Sequence, residues 1–265
     1  MTHEPLVWHY GLMAERWGTA ISSAPELTYF EQAVARFGEP VLDVACGAGR
    51  LLLPLLQAGI DIDGCDISAE MLAHCRRKAA AAGYRPTLVA QPMHTFTMPR
   101  CYRTIYICDS FGLSGSREND LRALQRCYEH LNDEGVLLLN IQAEYTSPDA
   151  WAMWLGDNRA QLPQPWPEEG SRRMAADGSE NIAYFRLADI DPLHQTYTRE
   201  VRLEKWVAGQ RVAAEEYALR GNMYLMPEVK LMLEVVGFRD IEVFGDYSDT
   251  AATADSEEIN FVAVK

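Results

Sequence analysis

The chain is short of positive charge, of paired cysteines and of long apolar runs, and each shortage removes a class of function. It has 24 Lys and Arg against 38 Asp and Glu, a net charge of −14. Duplex DNA and anionic membranes are recognised through clustered cations, so neither nucleic acid nor a membrane is an expected partner. No stretch approaches the roughly 18 apolar residues of a bilayer span. The opening Met1-Thr2-His3-Glu4-Pro5 lacks the charged and apolar segments of a secretory leader. The six cysteines, at 46, 65, 75, 101, 108 and 127, form no C-x-x-C pair. They read as reduced thiols of a cytoplasmic protein rather than as disulfides or a zinc site.

What is present is enough apolar material, 48% of 265 residues, for one sizeable core. After two helical stretches, 6–17 and 26–37, strands and helices alternate. The pattern predicts strand 40–45, helix 50–58, strand 60–65 and helix 68–82, with Ser68 as N-cap and Gly83 as stop. Strands 86–91 and 104–108, helix 118–131 and strand 135–141 follow. Near-continuous apolar strands between helices predict an α/β fold with a doubly wound, mostly parallel sheet. The rhythm breaks after Ile141. A short helix at 149–155 and a proline-rich loop at 161–170 lead into strand-like segments 182–190, 196–207 and 211–219, the last two joined by a turn at 208–210. In 196–207, Tyr197, Val201, Leu203 and Val207 share one face and Thr198, Glu200, Arg202 and Glu204 the other, as in a half-solvated antiparallel strand. Helix 227–236 and strands 240–244 and 259–264 close the chain. The reading is an N-terminal core unit, 1–143, an inserted antiparallel β subdomain, 144–224, and a C-terminal completion of the core, 225–265.

The most specific signal is Val41-Leu42-Asp43-Val44-Ala45-Cys46-Gly47-Ala48-Gly49-Arg50, an apolar strand entering a glycine turn, with Asp66 closing the next strand twenty-three positions after Asp43. Glycines let a ligand approach the backbone, and a later acid takes ribose hydroxyls. A nicotinamide dinucleotide wants a third glycine where this chain has Leu52, and Asp43 would repel a pyrophosphate. The turn suits an adenosine cofactor that is cationic and free of phosphate. S-adenosylmethionine, with an ammonium and a sulfonium, is such a molecule.

Those residues resemble the first two motifs of class I S-adenosylmethionine-dependent methyltransferases, D-x-x-C-G-x-G at Asp43 to Gly49 and the acid in Gly64-Cys65-Asp66-Ile67-Ser68. Gln91-Pro92-Met93-His94, Tyr102-Arg103-Thr104-Ile105 and Cys108-Asp109-Ser110-Phe111-Gly112, with the inserted strands, resemble a bacterial small-molecule group of that family. The resemblance implies a Rossmann-like seven-stranded sheet of order 3-2-1-4-5-7-6 with the last strand antiparallel. It implies cofactor contacts from Asp43, Gly47, Gly49 and Asp66, packing of Ile67 and Met71 on the adenine, and an adenine edge met by Gln91 or Met93. Relatives often place an acid where this chain has Pro92. Asp109, within 108–111, would line the methionine arm, and Tyr10 and Trp17 would fold over the cofactor from an N-terminal helix. Met71, Ile67 and Met93 read equally well as core, Tyr10 and Trp17 as helix packing, and Asp109 as a solvated cap.

The function expected is methyl transfer from S-adenosylmethionine to N or O of a small soluble acceptor. The alternatives are a cofactor-binding protein without turnover and an NAD(P)-dependent oxidoreductase. Candidates for the acceptor pocket are Glu144, Tyr145, Trp151, Trp154, Tyr197, Arg220, Asn222 and Tyr224. The inserted sheet could be a lid or the face of a homodimer. No metal constellation is legible. Among the histidines, His3 reads as a frayed terminus, His74 as surface and His130 as an imidazolium at a helix end. His9, His94 and His194 could reach a substrate.

Overall fold

The computed structural model describes residues 10–19, 26–175 and 177–265. The predicted start of the first helix, His3 and His9 therefore lie outside the described residues. Helices α1 (Gly11–Thr19) and α2 (Leu27–Phe37) precede β1 (Val41–Val44), α3 (Leu52–Gln57), β2 (Ile62–Asp66), α4 (Ala69–Ala81) and β3 (Leu88–Ala90). Then come β4 (Tyr102–Ile107), α5 (Arg117–His130) and β5 (Leu131–Gln142). After the inserted region, α8 (Met226–Val236), β10 (Arg239–Gly245) and β11 (Glu258–Val264) complete the core. The seven strands order as β10-β11-β5-β4-β1-β2-β3. β1 to β5 run parallel, and β11 is antiparallel to both β5 and β10. That is the order the resemblance implies.

The sheet is doubly wound because its strands are apolar on both faces. In β1, Val41 joins the core under α2, α3 and α4, while Leu42 and Val44 join the one under α5 and α8. Buried Leu72, Cys75 and Ala79 recur at helical spacing along α4, and Leu124 and Cys127 along α5. Ser68 caps α4 by accepting from the Met71 amide at 3.1 Å, as predicted, and Ser116 caps α5 in the same way.

The insertion holds two short helices, α6 (Pro148–Ala152) and α7 (Gly156–Arg159), and a separate antiparallel sheet. Its strands are β6 (Ser171–Met174), β7 (Glu180–Asp191), β8 (Thr196–Val207) and β9 (Gln210–Asn222), in that order. The predicted helix 149–155 ends early, at Ala152, and the second short helix begins beyond it at Gly156. β6 has no counterpart in the sequence reading, because Ser171-Arg-Arg-Met174 is polar and lies at a sheet edge, with no buried face to leave a pattern. Ala208 and Gly209 form the two-residue turn between β8 and β9, both at positive φ. The predicted facing of β8 holds for Val201 and Leu203, which are fully buried, but not for Val207. Val207 is exposed at the strand end beside the turn, and Glu204, expected on the solvated face, is buried and paired with Arg211.

Two histidines differ from expectation. His74 is half-buried, its ring lying against Gly18 of α1. His130 is buried and neutral. Its Nε2 accepts from the Met98 amide at 3.1 Å, so Nδ1 carries the proton and donates to the Arg126 carbonyl at 2.8 Å. Burial first, then the Arg126 charge, hold its pKa below 6.5. A depressed histidine contributes stability that is complete above its unfolded pKa and lost as pH falls through the folded one. Urea unfolding at pH 7.5 and pH 5.0 is expected to show a larger acid-induced loss for wild type than for His130→Gln, which keeps an acceptor for Met98 but cannot titrate.

Candidate active site

The carboxyl ends of β1, β2 and β4 gather the predicted residues at one edge of the sheet. Asp43 is 4% exposed in the middle of β1. Its carboxyl accepts from the Leu52 amide at the start of α3, and the Tyr106 side chain lies against it. Burial first, and the nearby Asp66 charge in addition, push its pKa well above the carboxylate range; none of the groups acting on it is a cation. Asp66 ends β2 and ties the turn together. Its Oδ2 accepts from the Gly47 amide at 2.8 Å and its Oδ1 from the Ser68 amide at 2.7 Å.

The two glycines serve different ends. Gly47 has φ 54°, and a Cβ there would come 3.1 Å from the Met71 methyl and 3.9 Å from Asp66 Oδ2, so its bare backbone borders the acid and the methionine. Gly49 has φ 85°, and a Cβ there would lie 2.7 Å from Leu53 and 2.8 Å from Cys75 Sγ. It is required for α3 to close on α4, a packing role beside the ligand-facing one expected of it.

Helix α1 roofs this turn. Ala14 and Trp17 pack on Ala48 and Met71. The Tyr10 hydroxyl reaches the Ile67 carbonyl at 3.4 Å, and the Gly11 amide donates to Glu70 at 2.7 Å. The structure thus brings Tyr10, Trp17, Asp43, Gly47, Asp66, Ile67 and Met71 together. The inserted sheet grips the other side of α1. Leu12 donates to Glu215, Tyr217 donates to the Tyr10 carbonyl, Arg16 donates to the Asn181 carbonyl, and Lys205 pairs with Glu15.

The adenine-edge candidates are differently placed. The Gln91 amide pairs with the Asp66 carbonyl, and its side-chain oxygen accepts from the Thr97 amide at 2.7 Å, so that oxygen is engaged locally. Met93 packs against the core on the α5 side. Asp109, at φ 53°, is held on three sides: by Asn140 at 2.9 Å, Tyr247 at 2.8 Å and Arg50 at 2.8 Å. Burial raises its pKa, but these donors outweigh it and keep the group below the usual carboxylate value. Arg50 also pairs with buried Glu26. Glu26, Cys108 and Asp109 bring ligand-type atoms within 4.8 Å of one another, but the guanidinium sits on both carboxylates, so the cation of this cluster is Arg50. Nothing in the sequence marks Arg50, Asn140 and Tyr247 as partners, since they converge from three elements with no shared motif.

A cavity of about 430 Å³ lies between α6 and the inserted sheet. Glu144, Trp154 and Tyr197 of the predicted acceptor residues line it. Asn222 and Tyr224 instead anchor the insertion, both donating to buried Asp120, and Arg220 reaches Thr196. Tyr145 and Trp151 are exposed. His194 is paired with Asp191 in an exposed turn, and His94 is shifted down by burial and the charge of Arg122.

The donor set fits S-adenosylmethionine. A buried acid with no cation acting on it suits an ammonium, and the indole N–H of Trp17, buried beside Met71, has no acceptor among the described residues. Leu52, where a dinucleotide fold has its third glycine, is fully buried in the core. No helix among the described residues is long and apolar enough to cross a membrane.

Residues 41–135 match the methyltransferase domain family. The chain is 26% identical over 275 residues to a Geobacillus sp. (strain WCH70) protein with the provisional name of a methyltransferase, each chain fully covered. It is 25% identical to a glycine/sarcosine N-methyltransferase of Halorhodospira halochloris, over 89% of this chain and 79% of that one. A solved S-adenosylmethionine-dependent methyltransferase from Clostridium acetobutylicum superposes with TM-score 0.72 at 16% identity, covering 96% and 97% of the two chains. A sugar N-methyltransferase from Streptoalloteichus sp. does so with TM-score 0.72 at 18%, covering 100% and 96%. The strand order and the acid–glycine–acid turn agree with the matched domain: the chain carries a methyltransferase domain at residues 41–135 on the fold of S-adenosylmethionine-dependent methyltransferases.

Proposed function

We propose that the chain methylates an amine nitrogen of a small acceptor seated in the cavity between α6 and the inserted sheet, with the cofactor held by Asp43, the Gly47 turn and Asp66 under α1. The observation that carries this is the contact path from the cavity to the loop after β4. The Tyr197 ring lies on Gly221, the Asn222 amide donates to the Gly112 carbonyl at 2.8 Å, and Tyr224 stacks on Phe111 at 5.2 Å between centroids. That loop follows β4, which pairs with β1, the strand that runs into the glycine turn.

S-adenosylmethionine supplies a methyl already activated on sulfonium sulfur. The work left to the protein is alignment and exclusion of water, which in well-oriented systems contributes on the order of 7–11 kcal/mol. A C–N bond forms as the C–S bond breaks, and the nitrogen gives up a proton to solvent. Nitrogen is favoured over oxygen because an amine needs no strong base. The relative from Halorhodospira and the structural neighbour from Streptoalloteichus are both named for N-methylation. We place the enzyme in the cytoplasm, in keeping with its six unpaired cysteines. A single copy suffices, since one chain supplies both the turn and the cavity.

Leu187→Trp fills the cavity from the sheet side. It is expected to lower formation of S-adenosylhomocysteine with an amine panel at least about tenfold, from lost positioning, and to leave calorimetric affinity for S-adenosylmethionine unchanged. Full turnover in the variant would move the acceptor elsewhere.

A further inference from the structure

The cavity has an unequal lining. Its apolar walls are Met153, Trp154, Phe185, Leu187 and Ile190, and its charged lining is Glu144, Asp149, Arg186 and Arg199. Two arginines reach it, and they are not equivalent. Arg186 is spent: it pairs with Glu200 at 2.6 Å and its guanidinium stacks on Trp166 at 4.3 Å. Arg199 is held loosely, 3.4 Å from Glu144 and stacked on Tyr197 at 5.0 Å. A guanidinium has five N–H donors in a rigid fork, and a single contact at 3.4 Å engages one of them at the limit of hydrogen-bonding distance. The Tyr197 ring takes the face of that fork, whereas a bidentate carboxylate uses its edge. Glu144 is the complementary group, partly buried and tied to the same arginine.

We propose that Arg199 is the carboxylate-binding residue of the acceptor cavity and that the acceptor is an amino acid with an apolar side group. Its carboxylate lies on Arg199, its amine faces Glu144, and its side group packs against Trp154 and Phe185. This rests on the cavity being the acceptor site. The charges balance: an incoming zwitterion parts the loose Arg199–Glu144 pair and gives each member a new opposite charge, so no buried charge is left alone. A polyhydroxylated amino sugar fits poorly, because the apolar walls cannot satisfy its hydroxyls.

The test is calorimetry on the full chain saturated with S-adenosylhomocysteine. The probes are L-alanine, L-leucine and L-phenylalanine, with phenethylamine (no carboxylate), 3-phenylpropionate (no amine) and glucosamine as controls. At least one amino acid is expected to bind at least about tenfold more tightly than either half-molecule, with glucosamine unbound. Arg199→Gln is expected to weaken that amino acid on the order of 30-fold and to leave phenethylamine unchanged, and Arg199→Lys to recover part of the loss. Equal binding of phenethylamine and L-phenylalanine, an unaffected Arg199→Gln, or no binding of any amino acid would overturn the proposal. The two readings fail separately. If Leu187→Trp blocks turnover but carboxylates have no advantage, the cavity stands and the role of Arg199 falls. If Leu187→Trp leaves amino acid binding intact, the cavity itself is wrong.

Discussion

Asp66→Ala is expected to lower affinity for S-adenosylmethionine by on the order of 100-fold or more. The Gly47 and Ser68 amides hold the carboxylate in place. The ribose assignment adds ligand hydrogen bonds to that same group, and hydrogen bonds to a charged acceptor contribute about 1.5–3 kcal/mol each. The alanine variant also strands two backbone donors, so the turn loosens as the ligand contacts vanish. Calorimetric titration beside a thermal melt separates the effects, and an unchanged affinity would remove Asp66 from the cofactor site. Asp43→Asn is the companion measurement. Burial has raised the Asp43 pKa, so the unliganded protein keeps a proton there to higher pH than an exposed carboxyl would. A cationic ligand favours the ionised form and expels that proton. Wild-type affinity is therefore expected to rise with pH through the unliganded pKa, with a binding heat that depends on the buffer's ionisation enthalpy; Asp43→Asn loses both. Stability of the unliganded protein runs the opposite way. A raised carboxyl pKa contributes stability that is complete below the unfolded value and lost as pH climbs through the folded one.

Asp120→Ala is expected to cost about 3–5 kcal/mol of stability, a fall in Tm of roughly 5–15 °C. Asp120 is fully buried in the first turn of α5 and accepts from Asn222 at 2.6 Å, Tyr224 at 2.8 Å and the Ser114 hydroxyl. Removing it leaves the buried Asn222 and Tyr224 donors unpaired, the expensive direction in which to break a network, while the half-buried Ser114 hydroxyl keeps the Ser116 carbonyl. The loss is not only global. Asn222 and Tyr224 are where β9 leaves the insertion and re-enters the core, and Tyr197 rests on Gly221 beside them. Acceptor KM is expected to rise more than S-adenosylmethionine affinity falls. Differential scanning calorimetry and initial rates check the two parts, and a Tm within 2 °C of wild type would show that the network carries little of the anchorage.

The core was readable because its signals are local. An apolar run such as Val41–Val44, a glycine stop at Gly83 and the Ser68 cap each act over a few residues, and the strand order followed from the resemblance they support. The acid–glycine–acid turn was legible for the same reason. What escaped was assembled across long separations. Arg50, Asn140 and Tyr247 meet on Asp109 from three elements, and Asn222 and Tyr224 meet on Asp120 from about a hundred positions away. Asn222 and Tyr224 therefore read as acceptor residues when they are anchors. β6 was invisible for want of a buried face, and the second role of Gly49, clearing Leu53 and Cys75, depends on two helices whose separation no spacing in the sequence encodes.

Helix α1 has polar ties mainly on one side. To the inserted sheet it is fastened through Glu215, Tyr217, Asn181 and Lys205; to the core it is held mainly by the apolar contacts of Ala14 and Trp17, with single bonds at Tyr10 and Gly11. An opening on the core side, with helix and sheet moving as one body, would break the fewest polar ties. The spent nucleoside and the methylated product are then expected to leave through the same event, with escape rates that share one activation barrier.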